Sequence, residues 1–302
     1  MDTVIITSEK EAKHVWELLS PHKTIDDEWN FRYSFFKHLP YELHFITSYK
    51  NSKPFSLLPL QVNSGDGLLP PYAKTRKPFL EFFGGDDTDD NKILGEEINP
   101  QDLSAYFNFP VYLAPLDPHI KTFKTTEPYE KKYYLNLQNY SNYEDFLKDR
   151  WSKDSRKKLM QQIRRIYKNH SIQVLENNYE DIDLLADLNI KRFGKDSSFS
   201  FPYRKEIFRD LTNFYNVVML TLIVDGEKEA VSYGINYKNI YTGMNAGVNG
   251  NIPDLPKLLI MLQINKAIEL GCKVYDAGKG DSGWKEAFKL DSIPQFRLDI
   301  VN

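Results

Sequence analysis

Apolar and polar positions alternate along this chain with two periods, and the period in use changes from segment to segment. Ser8 and Glu11 form a capping-box pattern ahead of Val15, Trp16, Leu18 and Leu19, which predicts a short helix stopped by Pro21. A second helix is expected over about 27–38, where Phe31 and Phe35 lie four apart. Alternation then takes over. Residues 42–49 and 54–62, joined by Lys50-Asn51-Ser52, read as a hairpin, and the proline- and glycine-bearing stretch 63–80 reads as a long loop. Strands are expected near 111–114 and 133–137.

Helical periodicity returns at Ser141 and Glu144, a second capping-box pattern. It continues through a basic helix over 154–169, whose inward stripe is Leu159, Ile163 and Ile166. A strand at 172–175 and helices at 179–193 and 203–214 follow, with Gly194 placed to end the first of these helices. The clearest sheet signal spans 217–246. Asp225-Gly226 separates two β-rich runs, and Asn239 marks a further turn before the third. A long apolar helix over 255–270 ends at Gly271. It delivers the chain to a strand at 272–277, a glycine-rich turn at 278–283, a helical turn at 284–289 and a last strand at 296–301. Residues 27–62 and 203–237 share the order helix, strand, turn, strand, which suggests a duplicated unit.

Composition narrows the class. Of 302 residues, 41% are hydrophobic and 27% charged, which suits a globular protein large enough for two domains. The net charge of -3 gives no overall attraction to nucleic acid or anionic membrane. Cys272 is the only cysteine, which excludes an intrachain disulfide and a cysteine-based zinc site. The six histidines show no His-x-x-x-His pair, so no metal is expected. The acidic run Asp86–Asp90 lacks the spacing and central glycine of a calcium loop and reads as a solvated loop. The first residues have neither a basic leader nor a signal-length apolar run, and no stretch approaches the ~20 apolar residues of a membrane helix. Cytoplasmic residence is therefore the expectation.

The candidate chemistry concentrates between Gly271 and Leu290. Alternation puts Cys272, Val274 and Asp276 on one face. Two of these are apolar, so Asp276 is expected to lean inward and to need a cation or several N–H donors. Lys279 and Lys285 are the nearest cations in sequence. Trp284 and Phe288, four apart, read as core. Asp254 is placed to cap the helix that follows it.

Residues 150–290 resemble the FemAB-like branch of the GNAT acyltransferase superfamily, which includes the peptidoglycan-bridge aminoacyltransferases. The features that carry the resemblance are, in order, Arg156-Lys157-Lys158-Leu159 with Arg164-Arg165, then Leu188-Asn189 with Arg192-Phe193, and then Val224-Asp225-Gly226 with Ala230. Pro256 follows, and Gly271, Tyr275-Asp276, Gly280, Trp284-Lys285 and Phe288 complete the set. The amino-terminal half is similar only through Trp29, Leu58-Pro59-Leu60 and Phe82-Phe83-Gly84-Gly85. The resemblance implies an α/β (α+β) fold of tandem GNAT-like domains, each a mixed, largely antiparallel sheet flanked by helices. A degenerate domain would occupy 1–140 and an acyltransferase domain 141–302.

It also implies transfer of an acyl or aminoacyl group onto an amine of a sugar, amino acid or cell-envelope precursor. Acyl-CoA, an acyl carrier protein and aminoacyl-tRNA all stand as donors. Lys285 would stabilise the oxyanion or a donor phosphate, and Asp276 would orient the acceptor amine or take its proton. Arg192, Tyr233, Asn245, Lys279 and Gly280 are candidates for substrate binding, and Gly247, Asn249 and Gly250 for donor binding. The family's phosphate signature, Gln/Arg-x-x-Gly-x-Gly/Ala, is absent. The corresponding loop reads Asn245-Ala246-Gly247-Val248-Asn249-Gly250. A non-catalytic binding module is the alternative, and RNA contact through the basic helix is a third reading.

Overall fold

A computed structural model describes residues 2–65, 77–116, 126–280 and 283–300. Most of the loop expected over 63–80 lies outside the described residues, as do His119, Asp281 and Ser282 of the glycine-rich turn, and Val301. The chain divides into two compact units. One comprises Met1–Lys132 with Ile293–Asn302, and the other Tyr133–Ser292. The boundary expected at 140/141 therefore falls inside the second unit, and the last ten residues belong to the first.

In the first unit, β1 (Asp2–Ile6) leads to α1 (Glu9–Leu19), α2 (Trp29–Phe36) and the hairpin β2 (Glu42–Lys50) and β3 (Lys53–Asn63). Then come β4 (Phe79–Phe82), the short β5 (Leu94–Gly95) and β6 (Val111–Leu116). Ser8 precedes α1 as expected, but its side chain makes no capping bond. The second predicted helix is shorter than its pattern, because Ile25–Asp27 form a separate 3-10 turn, held by Asp27 Oδ2, which accepts from the Lys23 and Thr24 amides at 2.7 and 3.0 Å. The β2–β3 hairpin turns through Asn51 and Ser52, both at positive φ, the conformation that matches the twist of paired strands. One face buries Trp16, Trp29, Phe45 and Phe83 against one another, with Trp29 and Phe83 ring centroids 4.9 Å apart.

The acidic run is not the solvated loop that its composition suggests. Asp86 accepts from the Tyr129 hydroxyl at 3.1 Å, and Asp90 takes both its oxygens to Lys132 Nζ at 2.9 Å. Thr88 and Asn91 are fully buried beside them.

The second unit receives the end of β7 (Glu127–Asn136) and continues with α3 (Tyr143–Arg150) and α4 (Lys153–Asn169). Asn142, not Ser141, caps α3, accepting from the Asp145 amide at 3.1 Å. Next come β8 (Ile172–Glu176), α5 (Ile182–Phe193) and α6 (Tyr203–Phe214). The meander β9 (Asn216–Val224), β10 (Glu227–Tyr237) and β11 (Ile240–Val248) follows. It is closed by two-residue turns at Asp225-Gly226 and Lys238-Asn239, all four residues at positive φ. The chain ends with α7 (Leu255–Glu269), β12 (Val274–Lys279), the single turn α8 (Trp284–Ala287) and β13 (Asp291–Ile300).

Strand order is β1-β2-β3-β4-β6-β13 in the first unit and β8-β9-β10-β11-β12-β7 in the second. In each, four antiparallel neighbours are followed by one parallel pair, β4 with β6 and β11 with β12. This shared order supports the duplication read from 27–62 and 203–237. Within the second unit, α4 and α7 cover one face. Leu159, Ile163, Leu258 and Ile264 pack there on Leu220, Leu222, Tyr241 and Tyr275.

Candidate functional site

The two central strands of the second unit pair for an unusually short distance. β11 and β12 run parallel, and their described register covers only Ile240–Thr242 with Val274–Asp276. Both strands continue, β11 to Val248 and β12 to Lys279. Backbone groups beyond Thr242 and Asp276 are thus not paired in this ladder, and such edges offer amides and carbonyls to a ligand.

A bulge prepares the split. The β10–β11 register shifts at Tyr233/Gly234, so that Gly234 faces Gly243 and Tyr233 faces Asn245. Gly234 makes room for an aromatic ring, since a Cβ there would lie 2.5 Å from the Tyr241 hydroxyl oxygen. Past the bulge, Asn245 turns to α5 and accepts from Asn189 Nδ2 at 2.7 Å; the same amide group donates to the Ala246 carbonyl at 3.1 Å.

Midway along β12 lies Asp276, 8% exposed. Cys272 precedes the strand and is buried in the same core cluster as Tyr275 and Ala277, while Asp276 is buried, as its place in the pattern predicts. Asp276 Oδ1 accepts from the Gly278 amide at 2.9 Å. Lys285, 5% exposed, reaches the same turn from α8. Its Nζ donates to the carbonyls of Gly278 at 3.0 Å and Lys279 at 2.6 Å, and lies 5.3 Å from the Tyr133 ring centroid. The Tyr133 hydroxyl in turn donates to Glu286 Oε1 at 3.2 Å. Tyr133 carried no signal in the sequence, because it meets Lys285 only through the pairing of β7 with β12. Gly278 and Gly280 take positive φ, which glycine adopts without strain. Asp276, Lys279, Gly280 and Lys285 are therefore brought together.

The other candidates lie elsewhere. Tyr233 is fully buried. Its hydroxyl donates to the Phe208 carbonyl at 2.9 Å and lies 3.1 Å from Thr212 Oγ1, and burial raises its pKa. Arg192 is exposed at the end of α5, with its guanidinium over the Phe193 ring at 5.1 Å. Gly247 is buried under α5, where a Cβ would meet Leu188 Cβ at 2.8 Å and the Leu185 carbonyl oxygen at 2.9 Å. Asn249 donates its amide to the Glu229 carbonyl and accepts from Lys191 Nζ, while Gly250 faces open space.

Asp254 precedes α7 but does not cap it. Its carboxylate pairs with Lys257 at 2.8 Å and Arg165 at 3.1 Å, and the Lys257 hydrogen bond holds it below the usual carboxylate range. In the first turn of α7 the Leu255 and Lys257 amides bond to the Ile252 and Asp254 carbonyls, and Pro256 has none to give. Among the described residues, no group of three or more His, Cys, Asp or Glu side chains is arranged to hold a metal ion, and no helix is long and apolar enough to cross a membrane.

Comparison with known proteins bears on the fold. Residues 153–286 match the family model described as acetyltransferase (GNAT) domain. Among solved structures, FemX aligns over 100% of this chain and 98% of its own, with 10% identity and a TM-score of 0.62. A tandem GNAT protein from the clavulanic acid biosynthesis pathway aligns over 99% and 98%, with 10% identity and a TM-score of 0.56. L-PGS from Bacillus licheniformis aligns over 98% and 92%, with 10% identity and a TM-score of 0.55. At these identities the likeness is one of fold. No curated protein matches the chain in sequence. The architecture is a mixed α/β fold, mixed sheet flanked by helices, of the kind found in GNAT-fold proteins such as the tandem one, and residues 153–286 are the part that matches the GNAT acetyltransferase model.

Proposed function

We propose that the protein transfers an acyl or aminoacyl group to an amine. The observation that carries this reading is the early end of the β11–β12 ladder, beside a turn held by a buried carboxylate and a buried ammonium group. The opening would admit the acyl chain of the donor, and its unpaired strand edge would hold that chain by backbone hydrogen bonds. The acceptor nitrogen attacks the carbonyl carbon, a C–N bond forms, and the C–S bond of a thioester, or the C–O bond of an aminoacyl ester, breaks. Lys285 would stabilise the oxyanion formed on the way, and Asp276 would hold the acceptor amine and take its proton. Lys279 and Gly280 would shape the acceptor side. Arg192, Tyr233 and Asn245 would act on substrate from farther out, Tyr233 only by supporting Asn245 across the β10–β11 pair.

On the donor side, the α7 amides already engaged and the Asp254 carboxylate disfavour seating phosphates directly on this helix terminus. Gly247, Asn249 and Gly250 would then meet the chain of the donor rather than its phosphates. Acyl-CoA, an acyl carrier protein and aminoacyl-tRNA all remain in this reading as donors, with no resident cofactor. Likeness to FemX and L-PGS, together with the FemAB-like pattern, favours an acceptor among cell-envelope precursors.

Thermal-shift screening with acetyl-CoA, longer acyl-CoAs and charged tRNA, followed by turnover on an amine panel, tests the reading. A donor that raises the melting point and is consumed supports it. Donor binding that persists without turnover, unchanged by Lys285→Met and Asp276→Asn, would instead make this a binding module.

A further inference from the structure

Helices α3 and α4 border a half-open cleft of about 330 Å³ in the second unit, at the lower end of the roughly 300–1,000 Å³ usual for small-molecule sites. Lys153, Arg156, Lys157 and Arg164 line it. Spaced at intervals of three, four and eleven along α4, they share the helix face turned to α3. Among the described residues, none of the four forms an ion pair or a side-chain hydrogen bond. Arg156 is half-buried and Lys153, Lys157 and Arg164 are exposed, and a cluster of cations with no carboxylate partners favours an anion. The opposing charge in the lining is Glu144, and Lys148, which also lines the cleft, is paired with Asp145 at 3.5 Å. Leu147 and Met160 give the cavity an apolar wall.

We propose that this cleft binds a nucleotide bearing at least two phosphates. The four cations outnumber Glu144 by three charges, which complements the roughly three negative charges of a nucleoside diphosphate near neutral pH. Arginine's planar fork takes two phosphate oxygens at once, and the half-buried Met160 offers an apolar contact for the base. A concave, part-apolar site suits a small ligand better than a flat basic stripe would, and the net charge of -3 gives a long polyanion no wider field to follow. The cleft shares no lining residue with the proposed acyl-transfer centre, and its test does not depend on turnover.

The test is equilibrium binding of a fluorescent ADP analogue to the full chain at low salt, with ADP, adenosine and a short single-stranded RNA as competitors. ADP should displace the probe at least about tenfold better than adenosine. Lys157→Glu and Arg156→Gln should each weaken binding about tenfold or more, while Lys168→Glu, on the same helix outside the cavity, should leave it within about twofold. Melting curves check that the variants fold, and Lys153→Gln replaces any that does not. Equal competition by ADP and adenosine, or binding indifferent to the cavity variants, overturns the assignment. So does RNA competing about a hundredfold better than ADP with a steep salt dependence, since that result marks α4 as an RNA surface.

Discussion

Asp276 and Lys285 hold opposite ends of one residue. The carboxylate takes the Gly278 amide hydrogen at 2.9 Å, and the ammonium group donates to the Gly278 carbonyl at 3.0 Å. Charge-assisted hydrogen bonds to both sides of a positive-φ glycine fix the turn that ends β12. The same two charges are thereby set beside the place where β11 and β12 stop pairing. Structure and proposed chemistry load the same side chains, so their substitution should show in two readouts.

Lys285→Met leaves the carbonyls of Gly278 and Lys279 without this donor in a nearly dry setting, at a cost of about 1–3 kcal/mol in urea unfolding. If the ammonium group also stabilises the oxyanion, kcat should fall by about two orders of magnitude or more, beyond what the remaining folded fraction explains. A folded variant with unaltered kcat on the identified substrate would confine Lys285 to holding the turn.

Gly247 and Gly250, three residues apart in the loop proposed to meet the donor, should respond very differently to alanine. At Gly247 a Cβ would lie 2.8 Å from Leu188 Cβ and 2.9 Å from a backbone oxygen of α5, so Gly247→Ala should destabilise by about 1–3 kcal/mol. Nothing lies within 4 Å of a Cβ at Gly250, and Gly250→Ala should stay within about 0.5 kcal/mol. Thermal melts of both variants decide this. Loss of donor binding in Gly250→Ala alone would place the donor on the open side of the loop.

How much of this was legible beforehand depended on how local the cause was. The Asp225-Gly226 hairpin, the Leu159-Ile163-Ile166 stripe of α4 and the glycine turn after Asp276 are written in neighbouring residues, and each appears in the structure. Caps were less secure. Asn142 displaced its neighbour Ser141, and the Asp254 carboxylate paired with Lys257, three residues on, and with Arg165 of α4 instead of capping α7. The acidic run looked solvated because its partners, Tyr129 and Lys132, lie some forty residues later in the chain. Tyr133 beside Lys285 was invisible for the same reason: strand pairing between distant segments leaves no periodic trace.

Arg32 anchors the polar interior of the first unit. Its guanidinium donates to the carbonyls of Asp26, Phe83 and Asp90 and to the side chains of Thr88 and Asn91. Burial holds its pKa below the usual arginine value, yet the number of acceptors argues that it stays charged. Arg32→Met would strand several buried acceptors at once, and should cost about 3–5 kcal/mol in chemical denaturation. A cost under about 1 kcal/mol would mean that water replaces the guanidinium, against the burial seen here.

Asp26, beside that guanidinium, makes the first unit sensitive to pH. Burial, reinforced by the nearby Asp90 carboxylate, pushes its pKa up to about 7, while Lys132 and Arg32 pull in the other direction. Its Oδ1 accepts the Asp89 amide at 3.0 Å, a bond that a neutral acid also makes. A carboxyl whose pKa is higher in the folded than in the unfolded chain favours folding in its protonated form. That contribution is complete below the unfolded value near 4 and is lost progressively as pH rises towards about 7. The loss is on the order of a few kcal/mol, from about 1.4 kcal/mol per pKa unit. Asp26→Asn keeps the acceptor oxygen and cannot ionise. It should therefore unfold at higher urea concentration than the parent at pH 8, and by a clearly smaller margin at pH 5, where about one pKa unit of the loss has accrued. Urea midpoints at the two pH values provide the measurement. A variant less stable than the parent at pH 8 would show that the ionised carboxylate is itself stabilised there by Arg32 and Lys132, and that their attraction outweighs burial.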